Sequence, residues 1–250
     1  MVMMRLLIDI GNSNTSIALV QGKKIIKRYF IATSRSRLEP GTFKRLLGKD
    51  HQEISSVIIV SVVPKFFTVI RNTIKTILPG TKIRTIGKDI KVPMKIKYKK
   101  PDQVGQDRLV TAFSAYTKKK RAVLVLDFGT AVTFDLVNDK GDYEGGLIFP
   151  GIRLALKALS ENAALLPRTE FTYIKGIVGK DTKESIKIGM LLGYAAMCDG
   201  IIDRFKNKYG KDLEIIATGG DANLVAKRSS RINTKNIHPD LIFEGLNQLS

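Results

Sequence analysis

Two aspartates occupy the same place in two similar stretches. "LLIDIGNSNTSIAL" (Leu6–Leu19) reads as an apolar strand ending in Asp9, then Gly11, then small polar residues, then a second apolar strand. "AVLVLDFGTAVTFDLVNDKGDYEGGLI" repeats that order around Asp127, 118 positions after Asp9. Each carboxylate would arrive at the C-terminal end of a strand, where the glycine lets the chain turn sharply with its N–H groups exposed. Two such turns facing each other across a cleft would hold a polyphosphate between backbone donors and hydroxyls, with the carboxylates holding cations against it. One Asp-x-Gly alone is an ordinary hairpin; the repetition of the flanking strands as well argues for a functional pair.

Two further stretches carry candidate chemistry. In "ATGGDAN" (Ala217–Asn223), Gly219 and Gly220 follow a strand and precede a helix, which allows close backbone approach by a flat ring or a phosphate. A simple strand-to-helix turn explains the same residues. In "VGQDRL" (Val104–Leu109), Asp107 and Arg108 adjoin at a helix start. Either they form a capping arrangement with an exposed salt bridge, or Asp107 accepts a proton from a substrate hydroxyl while Arg108 pairs with an acidic group. Neither GxxxxGK[ST] nor GxGxxG occurs, so a P-loop or dinucleotide fingerprint does not explain nucleotide binding.

The elements that must position these residues follow from periodicity. Strands are expected at Arg5–Asp9, Ser16–Val20 and Lys24–Ala32, with Gly22 in the turn between the last two, and at Ser56–Ser61 and Lys82–Ile86. An amphipathic helix around Phe66–Leu78 ends at "PG", and another is expected from about Gln106 to Lys119. The second half adds a helix from Ile152, a loop through "LPRTEF", a long apolar helix over Lys183–Lys208, and a last strand into the glycine turn. This is an α/β layer structure in two similarly built halves, 1–118 and 119–250, with the boundary near Lys118–Arg121.

Composition narrows the partners. The 250 residues carry 42 Lys plus Arg against 23 Asp plus Glu, a net charge of +19 that favours anionic ligands. The basic residues are dispersed and aromatics are sparse, with no Trp, which disfavours a nucleic-acid surface. No uninterrupted apolar run approaches the roughly 20 residues that span a bilayer, and Asp9 breaks any signal-peptide pattern. A single cysteine, Cys198, and two histidines leave no disulfide or Cys/His metal cluster, pointing to a reducing cytoplasm.

Taken in order, "DIGNSN", "GQDR", "DFGTAVTFD" and "TGG" resemble the signature set of the type III pantothenate kinases, within the actin, sugar-kinase and chaperone ATPase superfamily. "EGGLIFPGI", "GKDTKESIKIGM" and "HPDLIFEGL" extend the similarity over essentially the whole chain. The resemblance implies two ribonuclease H-like (actin-like ATPase) domains with a nucleotide cleft, and transfer of the ATP γ-phosphoryl group to pantothenate, the first step of coenzyme A biosynthesis. It implies that Asp9, Ile10, Gly11, Asn12, Ser13, Asn14, Thr15 and Ser16, with Thr130, bind the ATP phosphates, and that Gly219 and Gly220 flank the adenosine. Asp127 would bind a monovalent cation, K+ or NH4+, beside Mg2+. Tyr98, Gly105, Gln106, Asp107 and Arg108 would line the pantothenate pocket, with Asp107 as the base. Thr182 would reach the substrate from the partner subunit of a homodimer. Ser13 stands where the family usually has threonine, and Gln106 where alanine is commoner. A catalytically silent relative, or another small-molecule kinase of the superfamily, is the alternative reading.

Overall fold

The computed structural model of the chain describes residues 4–33 and 39–250. Its first three strands, β1 (Met4–Ile10), β2 (Asn14–Gln21) and β3 (Lys24–Ala32), form an antiparallel meander. A short helix α1 (Pro40–Leu47), absent from the periodicity reading, then leads into β4 (Ile54–Ser61). Helix α2 (Pro64–Ile77) and strand β5 (Lys82–Thr85) follow, and β4 and β5 join β1 in parallel to give the order β3-β2-β1-β4-β5.

Both faces of this sheet are covered, which is why β1 reads as an apolar run rather than an alternation. Leu6, Ile8 and Ile10 pack with Phe43 and Leu47 of α1 and with Phe66, Ile70 and Ile74 of α2. Leu7, with Ile58 and Val60 of β4, packs the other way against Val110, Phe243 and Leu246. Val110 belongs to α3 (Gln106–Lys119), and Phe243 and Leu246 to the C-terminal helix, α7 below.

The second sheet repeats the pattern. β6 (Val123–Phe128), β7 (Ala131–Val137) and β8 (Tyr143–Pro150) form a meander, and after α4 (Ile152–Asn162) and α5 (Thr182–Tyr209) the strand β9 (Glu214–Thr218) pairs in parallel with β6. The order β8-β7-β6-β9 therefore matches β3-β2-β1-β4. Leu124, Leu126 and Phe128 of β6 pack with Ile152 and Leu156 of α4, and with Leu191, Ala195, Cys198 and Ile202 of α5. A five-residue helix α6 (Ala222–Ala226) and the helix α7 (Leu241–Gln248) complete the chain.

The chain divides into two compact units, one holding the described residues up to Met94, Lys99–Ser114 and Leu241–Ser250, the other Lys95–Tyr98 and Ala115–Asp240. The division falls inside α3, four residues before the boundary expected at 118, and α7 belongs with the first unit rather than the second. The cause is a long-range contact. A β-carbon on Gly245 would lie only 2.6 Å from the Val110 carbonyl oxygen, so α7 crosses α3 in close backbone contact that no local signal announces.

Helix α5 is long and apolar enough to cross a membrane by length and composition, which no uninterrupted run had suggested. In the structure its Ile188, Leu191, Ala195, Cys198 and Ile202 are buried in the second unit.

Candidate active site

In the first unit, Asp9 stands one residue before the end of β1, opposite Ser16 of β2 and beside Val60 of β4. The turn that follows is closed by the Gly11 N–H donating to the Asn14 carbonyl at 3.1 Å, and the Thr33 N–H donating to the Ser13 carbonyl at 3.0 Å holds its far side. Asn12, Ser13 and Asn14 are exposed at the tip. Ile10 and Thr15 face inward: Ile10 is core, and the Thr15 hydroxyl shares a 3.0 Å hydrogen bond with that of Thr33. From those two positions only the backbone is offered to a ligand.

Gly105–Arg108 lie in the same unit, at the entry to α3. The Arg108 N–H donates to Asp107 Oδ1 at 2.8 Å, and the Thr111 hydroxyl donates to the Asp107 carbonyl at 2.9 Å. The carboxylate thus lies over the first turn, held by a backbone donor and pressed onto Gly105. Gln106 packs on the turn after β5, where a β-carbon on Gly87 (φ +85°) would come within 2.8 Å of its Cδ.

In the second unit, Asp127 has the place in β6 that Asp9 has in β1, opposite Thr133 of β7 and beside Thr218 of β9. The turn is tighter than the first: the Gly129 N–H donates to the Ala131 carbonyl at 3.0 Å, and β7 begins only three residues after Phe128, against four from Ile10 to Asn14. Gly129 and Thr130 are exposed. Gly219, at φ +91°, lies directly on this turn, since a β-carbon there would sit 2.6 Å from Asp127 Oδ1 and from the Phe128 nitrogen. Gly220 faces open space.

Gly151, to which no role was assigned from sequence, closes the turn from the other side. Its N–H donates to the Thr130 carbonyl at 2.9 Å, and a β-carbon would collide with the carbonyls of Gly129 and Thr130. The "PG" after the third strand was the available signal.

Tyr98 and Thr182 also belong to the second unit. Residues 95–97 pair with Tyr143 at the start of β8, the Lys97 N–H donating to its carbonyl and the Tyr143 N–H to that of Lys95, each at 2.8 Å. This sets the Tyr98 ring 3.5 Å from where a Gly145 β-carbon would be. Hydrogen bonds to Glu144 and then Asp142 raise the pKa of Lys97 and tie down the same segment. Thr182 is exposed on the first turn of α5, capped by Asp181 accepting from the Glu184 N–H at 2.8 Å.

Asp127 offers one carboxylate bordered by the Phe128 and Gly219 backbone. A single carboxylate suits a weakly charged hard cation, whereas a Mg2+ ion can be held through substrate phosphates. Among the described residues no three His, Cys, Asp or Glu side chains group to form a metal cage.

The sequence model described as type III pantothenate kinase matches residues 5–204. A type III pantothenate kinase of Myxococcus xanthus is 39% identical over 251 residues, covering 97% of this chain and 96% of its own. One from Geotalea daltonii is 38% identical, covering 97% and 96%. Among solved structures, the ethanolamine utilization protein EutJ from Carboxydothermus hydrogenoformans superposes with a TM-score of 0.56 at 12% identity, covering 99% of this chain and 90% of that one. The acetate kinase of Porphyromonas gingivalis gives 0.52 at 10% identity, covering 99% and 98%. These distant structures show the fold, two α/β domains of the actin-like ATPase type. The sequence matches show more: the chain belongs to the type III pantothenate kinase family.

Proposed function

We propose that the protein transfers the γ-phosphoryl group of ATP to the primary hydroxyl of pantothenate, giving 4′-phosphopantothenate and ADP. The observation that carries this reading is the family match over residues 5–204, which spans both aspartate turns and the entry to α3. Phosphoryl transfer through a loose transition state requires positioning and charge neutralisation more than covalent help.

In this reading the backbone of residues 9–16 and the exposed Asn12, Ser13 and Asn14 bind ATP phosphates, as does Thr130, while Gly219 and Gly220 flank the adenosine. Asp127 holds a monovalent cation, K+ or NH4+, and Mg2+ travels with the nucleotide. These cations supply charge neutralisation at the phosphates. Asp107 takes the proton from the pantothenate hydroxyl as that oxygen bonds to the γ-phosphorus and the bond to the β-phosphate oxygen breaks. Its carboxylate is steadied for this by the Arg108 N–H. Arg108 pairs with the pantothenate carboxylate, and Tyr98, Gly105 and Gln106 line the pocket. The net charge of +19 draws in both anions, and the setting is cytoplasmic.

The functional unit in this reading is a homodimer joined along α5. Ser185, Gly189, Gly193 and Ala196 fall at helical spacing on one exposed face, and a β-carbon on Gly189 or Gly193 would meet nothing within 4 Å. Such a face admits a second helix at close range, and Thr182 on the same helix would then reach the partner's substrate.

A coupled assay for ADP, with and without pantothenate, in K+ and then in Na+, tests the reading. ADP release that depends on pantothenate and on K+, and is lost in Asp107→Asn, is expected. Pantothenate-independent turnover, or none, would favour another acceptor or a silent relative.

A further inference from the structure

Two residues given no role above close a ring around the second aspartate turn. Gly219 lies on the Asp127–Phe128 backbone, and Gly151 lies on the Gly129–Thr130 carbonyls. The turn is therefore held between two loops, one leaving β9 and one leaving β8. Two residues beyond each glycine stand Asp221 and Arg153, and they meet. Arg153 Nε donates to both carboxylate oxygens of Asp221 at 3.2 Å, and its Nη2 donates to Oδ1 at 2.8 Å. The Asp221 side chain is only 6% exposed, while that of Arg153 is 66% exposed.

The same aspartate starts α6, its carbonyl accepting from the Leu224 and Val225 N–H groups at 3.1 and 3.2 Å. Its position therefore sets where the glycine turn ends and the helix begins. A bidentate Arg–carboxylate pair fixes orientation as well as distance, because both guanidinium edge and carboxylate are planar. The pair adds a directional polar link to the apolar packing that Ile152 already shares with Ala222 and Val225.

We propose that Arg153 and Asp221 are a positioning pair for the nucleotide, locking the Gly219–Gly220 loop in register with the Gly129–Thr130 turn. The inference rests on the ATP reading above, in which those two segments take the adenosine and a phosphate. Neither side chain contacts the reacting atoms in this account; they act through the loops. The consequence falls on ATP, since the two segments that the pair joins are the ones this reading gives to the nucleotide, and none of Tyr98, Gly105–Arg108 and Thr182 is among them.

Steady-state kinetics of the wild type, Arg153→Gln, Asp221→Asn and the double variant test this. Each single change is expected to raise KM for ATP about tenfold while KM for pantothenate stays within about twofold. The double variant should be no worse than either single, because both remove one interaction. Arg153→Lys, which keeps the charge but not the fork, should fall between wild type and Arg153→Gln. Asp221→Asn guards against misfolding, since it leaves no buried unpaired charge. Unchanged KM for ATP in both single variants, with only a lower melting temperature, would reduce the pair to a structural brace and overturn the proposal. Multiplicative effects in the double variant would overturn it too. A wild type that phosphorylates no pantothenate would overturn the function itself, and this inference with it.

Discussion

The carboxylate of Asp107 lies over Gly105, so close that a β-carbon on that glycine would collide with Oδ1. Gly105 has no positive φ, so alanine fits its backbone and the obstacle is Asp107 alone. A carboxylate is the far end of a short side chain and can move aside cheaply. Gly105→Ala should therefore displace the proposed base without unfolding the protein, lowering kcat by about 10- to 100-fold with a melting temperature near that of wild type. Asp107→Asn should lose roughly 100- to 10,000-fold, the range a positioned base supplies. Full activity in Gly105→Ala would show that the observed carboxylate position does not matter to turnover.

The adjacent glycines of "TGG" should respond oppositely to the same change. Gly219 combines φ +91° with backbone and Asp127 Oδ1 atoms 2.6 Å from any β-carbon, and neither the Phe128 backbone nor β6 can yield. Gly219→Ala should cost about 2–4 kcal/mol and abolish ATP turnover. Gly220 has neither constraint, and Gly220→Ala should stay within about 0.5 kcal/mol of wild type. Thermal unfolding of the two variants measures the contrast directly; equal destabilisation would contradict the packing of the β9 loop on the turn.

Much of this arrangement was legible because it is local. The apolar run Leu6–Ile10, the glycine turn and the return strand announce a meander, and its echo 118 positions on announces the second. Helix α3 spans Gln106–Lys119 as its pattern requires. What stayed hidden depends on distance in sequence. Gly245 against Val110 brings the C-terminal helix to the first sheet across 135 positions, and Arg153 meets Asp221 across 68. Local pattern also cannot tell which hydroxyls in a polar loop face inward, and that of Thr15 is paired with Thr33. Helix α1 escaped notice because eight residues with two core contacts, Phe43 and Leu47, barely make a period.

The exposed small-residue face of α5 predicts how assembly should fail. Gly193→Leu adds a large side chain at an exposed position where an added β-carbon meets no described atom within 4 Å, so the isolated fold should keep its melting behaviour. If two copies meet there, the same change should shift the sedimentation coefficient from dimer to monomer. Loss of the dimer should also raise KM for pantothenate, through Thr182, and leave KM for ATP little changed. A variant that stays dimeric would place the interface elsewhere.

Cys198 supplies a probe of the second unit's integrity. It is fully buried among α4, α5 and β6 side chains, and burial, with a smaller push from Asp199, drives its thiol up to about 12 from an ordinary 9.0. A thiol that stays protonated is a poor nucleophile, so a disulfide reagent at pH 8 should label it only as fast as the unit opens. The pH dependence follows from the same displacement. Below about pH 9 the thiol is protonated whether folded or unfolded, and the native state keeps the whole contribution. Between about 9 and 12 the unfolded chain ionises while the folded one does not, so stability falls by up to about 1.4 kcal/mol per pH unit. Lysines titrate in that range as well, which makes the difference between wild type and Cys198→Ala the quantity to read. The wild-type denaturation midpoint should fall more steeply than the variant's as pH rises from 8 to 10.5. Parallel slopes, or rapid labelling of the native protein at pH 8, would show that the helix α5 core is open to water.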